Sequence, residues 1–344
     1  MTVTGMQRRP AVFPRAVAAA FALGAFCVLG FAPFDAWFAV WPLPTFSLAG
    51  LFLLWRRAAT ARAAALLGLA WGAGCFLSGV SWVYVSLSQF GGMAPPAAAA
   101  ATLLFCLYLA LFPALAGGLF RRWCRGTPGD AWLFAGLWAL AEWLRGTLFT
   151  GFPWLAVGYA QSPPSPLAGW ASALGVYGVG FIVALIGALL GQMRTASWRK
   201  PLPWIAILLL LGLGGLLRAM DWTQPAGSPV SVALLQGNVP QSLKWDPKRL
   251  PLSVETYLQL ARAHPAELIV LPETAIPLFF NEVPREVLRG LTVHGDALIG
   301  VAIGTNDGGY TNGAVALTPQ LAVSAYAKRH LVPFGEYPPP GFAW

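Results

Sequence analysis

A multi-pass α-helical membrane region followed by a smaller α/β outer domain is the fold class this sequence predicts. Three observations point to it. Of the 344 residues, 57% are hydrophobic and only 10% are charged, whereas soluble domains are about a quarter charged. Between Ala16 and Met220 the charges sit in short clusters separated by long apolar runs, and after Pro229 their density becomes ordinary. From Val230 the hydrophobic period changes to short strand-like and helix-like segments. The expected organisation is a transmembrane region over residues 1–222 with about seven helices, a Pro/Gly/Ser linker from Gln224 to Pro229, and a second domain over residues 229–344.

A spanning helix needs about 20 mostly apolar residues. Such runs are Ala16–Ala32, Ala36–Trp55, Ala63–Leu87, Ala97–Phe120, Ala131–Phe149, Pro166–Gln192 and Pro203–Met220. The first follows Arg8, Arg9 and Arg15 as a signal peptide would. It leads at once into another span without a small-residue cleavage site, so it reads as a retained helix. Pro42 and Pro44 are expected to kink or split the second.

The net charge of +9 is a topology signal rather than a nucleic-acid site. Of the 22 Lys and Arg residues, 12 fall in four clusters between apolar runs: Arg8, Arg9, Arg15; Arg56, Arg57, Arg62; Arg121, Arg122, Arg125; and Arg194, Arg199, Lys200. With the N-terminus inside, all four are cytoplasmic, and the outward loops 33–35, 88–96 and 150–165 contain no Lys or Arg. An odd number of spans then places the second domain on the outer side.

Glu142 and Arg145 lie three residues apart in the fifth span, a spacing that lets them pair on one helix face. The following loop, Gly151 to Gln161, is rich in aromatic residues, Pro and Gly. It reads either as an interfacial aromatic belt or as a lipid-entry loop.

In the outer domain, strands are expected at Val230–Gln236, Glu267–Leu271 and Ala297–Gly304, with helices at Leu250–His264 and Asn281–His294. Thr311–Leu317 and Leu321–Lys328 read as paired strands joined by a Thr-Pro-Gln turn. Alternating strands and helices followed by paired strands imply a sheet packed by helices. Gly304 to Gly309 reads as a turn without phosphate-loop spacing. Cys27, Cys75, Cys106 and Cys124 form neither a metal pattern nor a disulfide framework, and no cofactor is expected. Chemistry gathers instead at strand ends. Glu273 follows an apolar strand between prolines, as a partly desolvated base would, and Lys328 closes another strand.

These segments together resemble the apolipoprotein N-acyltransferases, membrane members of the nitrilase (carbon–nitrogen hydrolase) superfamily. The resemblance rests on Glu142-Trp-Leu-Arg-Gly146, Phe152-Pro-Trp154, Gln236-Gly-Asn-Val-Pro-Gln241 with Trp245, Pro272-Glu-Thr-Ala-Ile-Pro277 and Lys328-Arg-His-Leu-Val-Pro-Phe-Gly-Glu336. It implies a nitrilase-like αββα sandwich in the outer domain and a Glu–Lys–Cys triad. Glu273 would be the general base, Lys328 would stabilise the oxyanion, and Glu336 would be a second carboxylate holding the lysine or the substrate. Trp245, Tyr310 and Asn312 would line the substrate site. The implied partners are a phospholipid acyl donor and a diacylglyceryl-modified apolipoprotein acceptor. The implied location is a bacterial inner membrane with a periplasmic catalytic domain.

One departure from the family pattern shapes the expectation for activity. The family's cysteine follows the lysine motif, but here the last cysteine is Cys124. The sequence therefore reads as a C-terminally truncated acyltransferase lacking its nucleophile and the family's last helix, and as given it should not transfer acyl groups. Two alternatives keep parts of this reading: a membrane-tethered amidase that shares Glu273 and Lys328, and a non-catalytic membrane scaffold. A transporter would give no reason for the Glu273 and Lys328 motifs.

Overall fold

The computed structural model describes residues 12–34, 40–162, 164–195, 199–240, 248, 250–305 and 309–331. The chain divides into two compact units, Met1–Gln224 and Pro225–Trp344.

The first unit is helical. Its elements are α1 (Val12–Val28), α2 (Leu43–Arg57), α3 (Ala61–Gly79), the single turn α4 (Val83–Val85), α5 (Pro95–Trp123), α6 (Asp130–Thr147), α7 (Ala171–Thr195) and α8 (Pro201–Ala219). Each expected apolar run contains helix, and local chemistry sets the ends. Pro44 and Pro95 sit in the first turns of α2 and α5, where a missing N–H costs nothing. Ala63–Leu87 is not one continuous helix: α3 stops at Gly79, and the chain continues through α4 and a π-turn at Ser86–Phe90. The sixth run opens as a 3-10 turn, Pro166–Trp170, and α7 is kinked at Gly175, whose φ is 65°.

Among the described residues, four helical segments are long and apolar enough to cross a membrane: Ala61–Gly79, Pro95–Trp123, Pro166–Met193 and Pro201–Ala219. α1 and α2 are shorter, with 17 and 15 residues, and α6 carries Asp130, Glu142 and Arg145. The protein is an integral membrane protein built on this bundle. Backbones approach closely through small residues, as membrane helices require. A Cβ at Gly74 of α3 would lie 2.0 Å from the carbonyl oxygen of Phe21 in α1. Ser47 of α2 donates to the Leu23 carbonyl at 2.7 Å and accepts from Trp71 Nε1 at 2.9 Å, tying three helices together. Phe134 stands edge-on to Phe52 and Trp55, with centroids 5.3 and 5.2 Å away.

One end of this bundle is basic. α2 ends there with Arg56 and Arg57, α3 begins there with Arg62, and α5 ends there with Arg121 and Arg122. Asp130, buried at 2% exposure, organises it. Its carboxylate accepts from Cys124 Sγ at 3.1 Å and from the Arg125 backbone N–H at 3.0 Å, with Arg56 Nε at 3.8 Å.

The second unit is a mixed sheet with two helices. The strands are β1 (Val232–Leu234), β2 (Leu268–Val270), β3 (Ile276–Phe279), β4 (Asp296–Gly304), β5 (Tyr310–Leu317) and β6 (Val323–Ala327), with α9 (Leu250–Ala263) and α10 (Arg285–Leu291). Their order is β1-β2-β4-β5-β6, and β3 pairs with β4 off this path. β1, β2 and β4 run parallel; β4, β5 and β6 form an antiparallel meander. Tyr257 and Ala261 of α9 and Leu288 and Leu291 of α10 pack on Ile269, Ala297, Ile299, Val301 and Val315.

One local expectation is corrected, and one strand goes beyond those expected. The helix Asn281–His294 is instead a 3-10 turn, Phe280–Glu282, followed by α10, because Pro284 breaks the run and serves as the cap of α10. Strand β3 was not legible, being only four residues with Pro277 inside.

Candidate active site

Glu273 lies where β2 has ended and β3 has not begun. Leu271 N–H donates to the Leu298 carbonyl and Ala275 N–H to the Gly300 carbonyl, both at 2.9 Å, so Pro272 to Thr274 is pinned along β4. Thr274 takes φ 48°, which turns the chain sharply after the glutamate. Gly300 makes room for that turn. A Cβ on it would lie 2.3 Å from the Pro272 carbonyl oxygen and 2.7 Å from Glu273 Cα. A glycine in the middle of an apolar strand is the sequence signal for such a close backbone approach.

The carboxylate is aimed by Asn312. Its Nδ2 donates to Glu273 Oε1 at 3.0 Å. Asn312 sits on β5 opposite Ala302 of β4, and its carbonyl accepts from the Lys328 backbone N–H at 2.8 Å. One side chain and one carbonyl of a single residue thus connect the glutamate of the β2–β3 turn to the backbone of the lysine that follows β6. Glu273 is exposed, and Lys328 and Asn312 are half-buried. The expected partial desolvation of Glu273 is therefore not observed: the turn carries the side chain off the buried strand to the sheet's open end.

Tyr310 lies on the Asn312 side of β5, two residues earlier, which places both on one face of the strand. It is 57% exposed and stands edge-on to Phe279 at 6.1 Å. Trp245 and Glu336 lie outside the described residues. Among the described residues no group of three or more His, Cys, Asp or Glu side chains could hold a metal ion.

A second polar cluster lies in the helical unit. Glu142 and Arg145 are 4% and 3% exposed on α6, and they do not pair with one another as their spacing suggests. Each binds the loop that follows. Arg145 NH1 donates to the Phe152 carbonyl at 2.5 Å and to the Trp154 carbonyl at 2.7 Å, and the guanidinium lies 5.2 Å from the Phe76 ring centre. Glu142 Oε1 accepts from the Val157 N–H at 2.9 Å. The clamp holds a loop with positive φ at Phe149, Thr150, Gly151 and Leu155. The loop presents Trp154 to Trp82 at 5.4 Å and Phe152 to Phe105 at 5.0 Å.

Residues 23–189 match the family model described as the apolipoprotein N-acyltransferase N-terminal domain, and residues 231–343 match the carbon-nitrogen hydrolase model. A Bordetella bronchiseptica apolipoprotein N-acyltransferase is 38% identical over 381 residues, covering 98% of this chain and 68% of that protein. The chain belongs to the apolipoprotein N-acyltransferase family.

Other members of this family named as apolipoprotein N-acyltransferases are more similar still. That of Nitrosomonas europaea is 47% identical over 95% of this chain, and that of Ralstonia nicotianae is 43% identical over 94%. The chain spans 66% and 62% of the length of these two relatives. In family terms the mixed sheet is the carbon–nitrogen hydrolase part, and Glu273, Asn312 and Lys328 lie within it.

Proposed function

We propose that the protein is an N-acyltransferase of lipoprotein maturation. A thiol attacks an ester carbonyl of a phospholipid, forming an acyl thioester and releasing the lysophospholipid; the α-amine of the N-terminal diacylglyceryl-cysteine of a lipoprotein then attacks the thioester, forming the amide and releasing the thiol. Glu273 is the general base that removes the thiol proton and later activates the attacking amine. The Lys328 ammonium faces the oxyanion of each tetrahedral intermediate, and Glu336 holds the lysine or the substrate. Trp245, Tyr310 and Asn312 border the substrate.

The observation that supports this reading is the bridge from the Glu273 carboxylate through Asn312 to the backbone N–H of Lys328, which brings the β2–β3 turn and the residue after β6 to one place on the sheet. A general base contributes about 10²–10⁴ in rate, and an oxyanion partner about 10²–10³. The relatives' name supplies the substrate class.

The catalytic domain in this proposal covers residues 229–344 and stands on the periplasmic side of the inner membrane. The membrane region covers residues 1–222, with about seven spans and a cytoplasmic N-terminus. The basic end of the bundle supports this orientation, because Lys and Arg concentrate in cytoplasmic loops.

The test is acyl transfer from labelled phospholipid to a diacylglyceryl peptide, using protein isolated from its own membrane with its intact mass measured alongside. A thiol beside Glu273 is required, and all four cysteines of this sequence lie at or before Cys124. Transfer that is lost in Glu273→Gln and Lys328→Met supports the proposal. Amide hydrolysis without lipid dependence would replace it with the amidase reading.

A further inference from the structure

An apolar groove of about 590 Å³ runs along α5, with Ala65 of α3 at its edge; both helices are long and apolar enough to cross a membrane. Its floor is made of small side chains, Ala65, Ala114 and Gly118, and its walls include Leu111, Leu115 and Leu119. Tyr108 borders one end and Arg122 the other. From Tyr108 to Leu119 the helix rises about 16 Å at 1.5 Å per residue, roughly half of a ~30 Å hydrocarbon core. The apolar length therefore matches the depth of one leaflet, and it finishes at the basic end of the bundle.

The charges at that end divide into two groups. Arg121 Nε donates to the Ala58 carbonyl at 2.6 Å, and Arg56 faces Asp130, so both are committed to holding helix ends. Arg62 and Arg122 are exposed, and neither makes a hydrogen bond or ion pair among the described residues. Arg62 lies three residues before Ala65 on α3, and Arg122 lies four residues after Gly118 on α5. Helical spacing therefore puts both on the faces that form the groove. Arg122 thus lines the groove directly, and Arg62 stands on the Ala65 face of α3 by its spacing.

We propose that this groove is a binding site for one anionic diacyl phospholipid. An acyl chain lies over Ala65, Ala114 and Gly118, and the phosphate is held between Arg62 and Arg122. Arginine suits this role because its fork of donors matches phosphate oxygens. The site lies wholly within the helical unit, at its basic end, and does not rest on the acyl-transfer reading.

The experiment uses the full protein in phosphatidylcholine nanodiscs doped with phosphatidylglycerol bearing a photoreactive acyl chain, with adducts mapped by mass spectrometry. The expected adducts fall between Leu111 and Leu119. They are competed by unlabelled phosphatidylglycerol and far less by phosphatidylcholine. Arg62→Gln and Arg122→Gln should each lower labelling about fivefold, the effect of one basic residue at an anionic surface, and together about 25-fold. Gly118→Leu should block the slot. The position has room, since a Cβ there meets nothing closer than Ala65 Cβ at 3.6 Å. Gly136→Leu on α6, which also meets nothing within 4 Å, should leave labelling unchanged. Equal competition by both lipids, adducts elsewhere on the protein, or a chain-to-chain crosslink at the groove would each overturn the proposal, and the wild-type adduct map decides this without any variant.

Discussion

Asn312 donates its side-chain amide to Glu273 across 39 positions of sequence, at 3.0 Å, and does so from a strand whose neighbour is followed directly by Lys328. The bond fixes where the carboxylate points. A hydrogen bond to a charged group is worth about 1.5–3 kcal/mol. Asn312→Ala should therefore lower kcat for acyl transfer by about 10- to 100-fold with the sheet intact, because the backbone bonds of Asn312 remain. Single-turnover kinetics with circular dichroism of the same samples check this.

Gly300→Ala tests the packing under the same turn. The added Cβ would meet the Pro272 carbonyl oxygen at 2.3 Å, so either β4 or the Glu273 turn must shift. Overpacking of this kind costs about 1–3 kcal/mol. The expected outcome is a lower thermal midpoint together with lost activity, whereas Gly304→Ala, with nothing within 4 Å among the described residues, should change neither.

Arg145→Ala should destabilise the helical unit by about 3 kcal/mol, since it leaves the Phe152 and Trp154 carbonyls without their donor. Arg145→Lys should recover only part of this, because a point charge cannot reproduce the planar fork. Thermal unfolding in detergent measures both.

Glu267 joins the starts of β1 and β2. Its carboxylate accepts from Ser231 N–H at 2.9 Å and from Ser231 Oγ at 3.1 Å. These bonds favour the ionised form and hold its pKa below the ordinary 4.5. With the folded value below the unfolded one, the stabilising contribution is present above the unfolded pKa and is lost as pH falls through the folded value. Ser231→Ala should move the Glu267 titration midpoint up toward 4.5, read from its carboxyl carbon shift. An unchanged midpoint would show that the hydroxyl adds nothing and that the Ser231 backbone N–H, which the substitution leaves in place, sets it.

Much of this architecture was legible because apolar length and period are local properties. The seven apolar runs, the strands at Ala297–Gly304 and Thr311–Leu317 and the turn after Leu317 all announce themselves within about 20 residues. What the sequence hid was made by partners distant in the chain. The spacing of Glu142 and Arg145 correctly placed them near one another on α6. It could not show that the carbonyls of Phe152 and Trp154 and the N–H of Val157 would be nearer partners than the opposite charge. Glu273 was found from its position after a strand. Its exposure depends on Gly300 and on the left-handed backbone of Thr274, neither of which the pattern around Glu273 encodes. β3 escaped because a four-residue strand with a proline gives no period to read.

The most direct test of the central claim is the rate of acyl transfer from labelled phospholipid to a diacylglyceryl peptide by wild type and Glu273→Gln, each isolated from its own membrane. Where the isolated protein supplies the thiol that Glu273 acts on, the proposed chemistry predicts transfer by the wild type and a loss of at least about 10²-fold in the variant, the lower bound for removing a general base. Equal rates in the two proteins would contradict it.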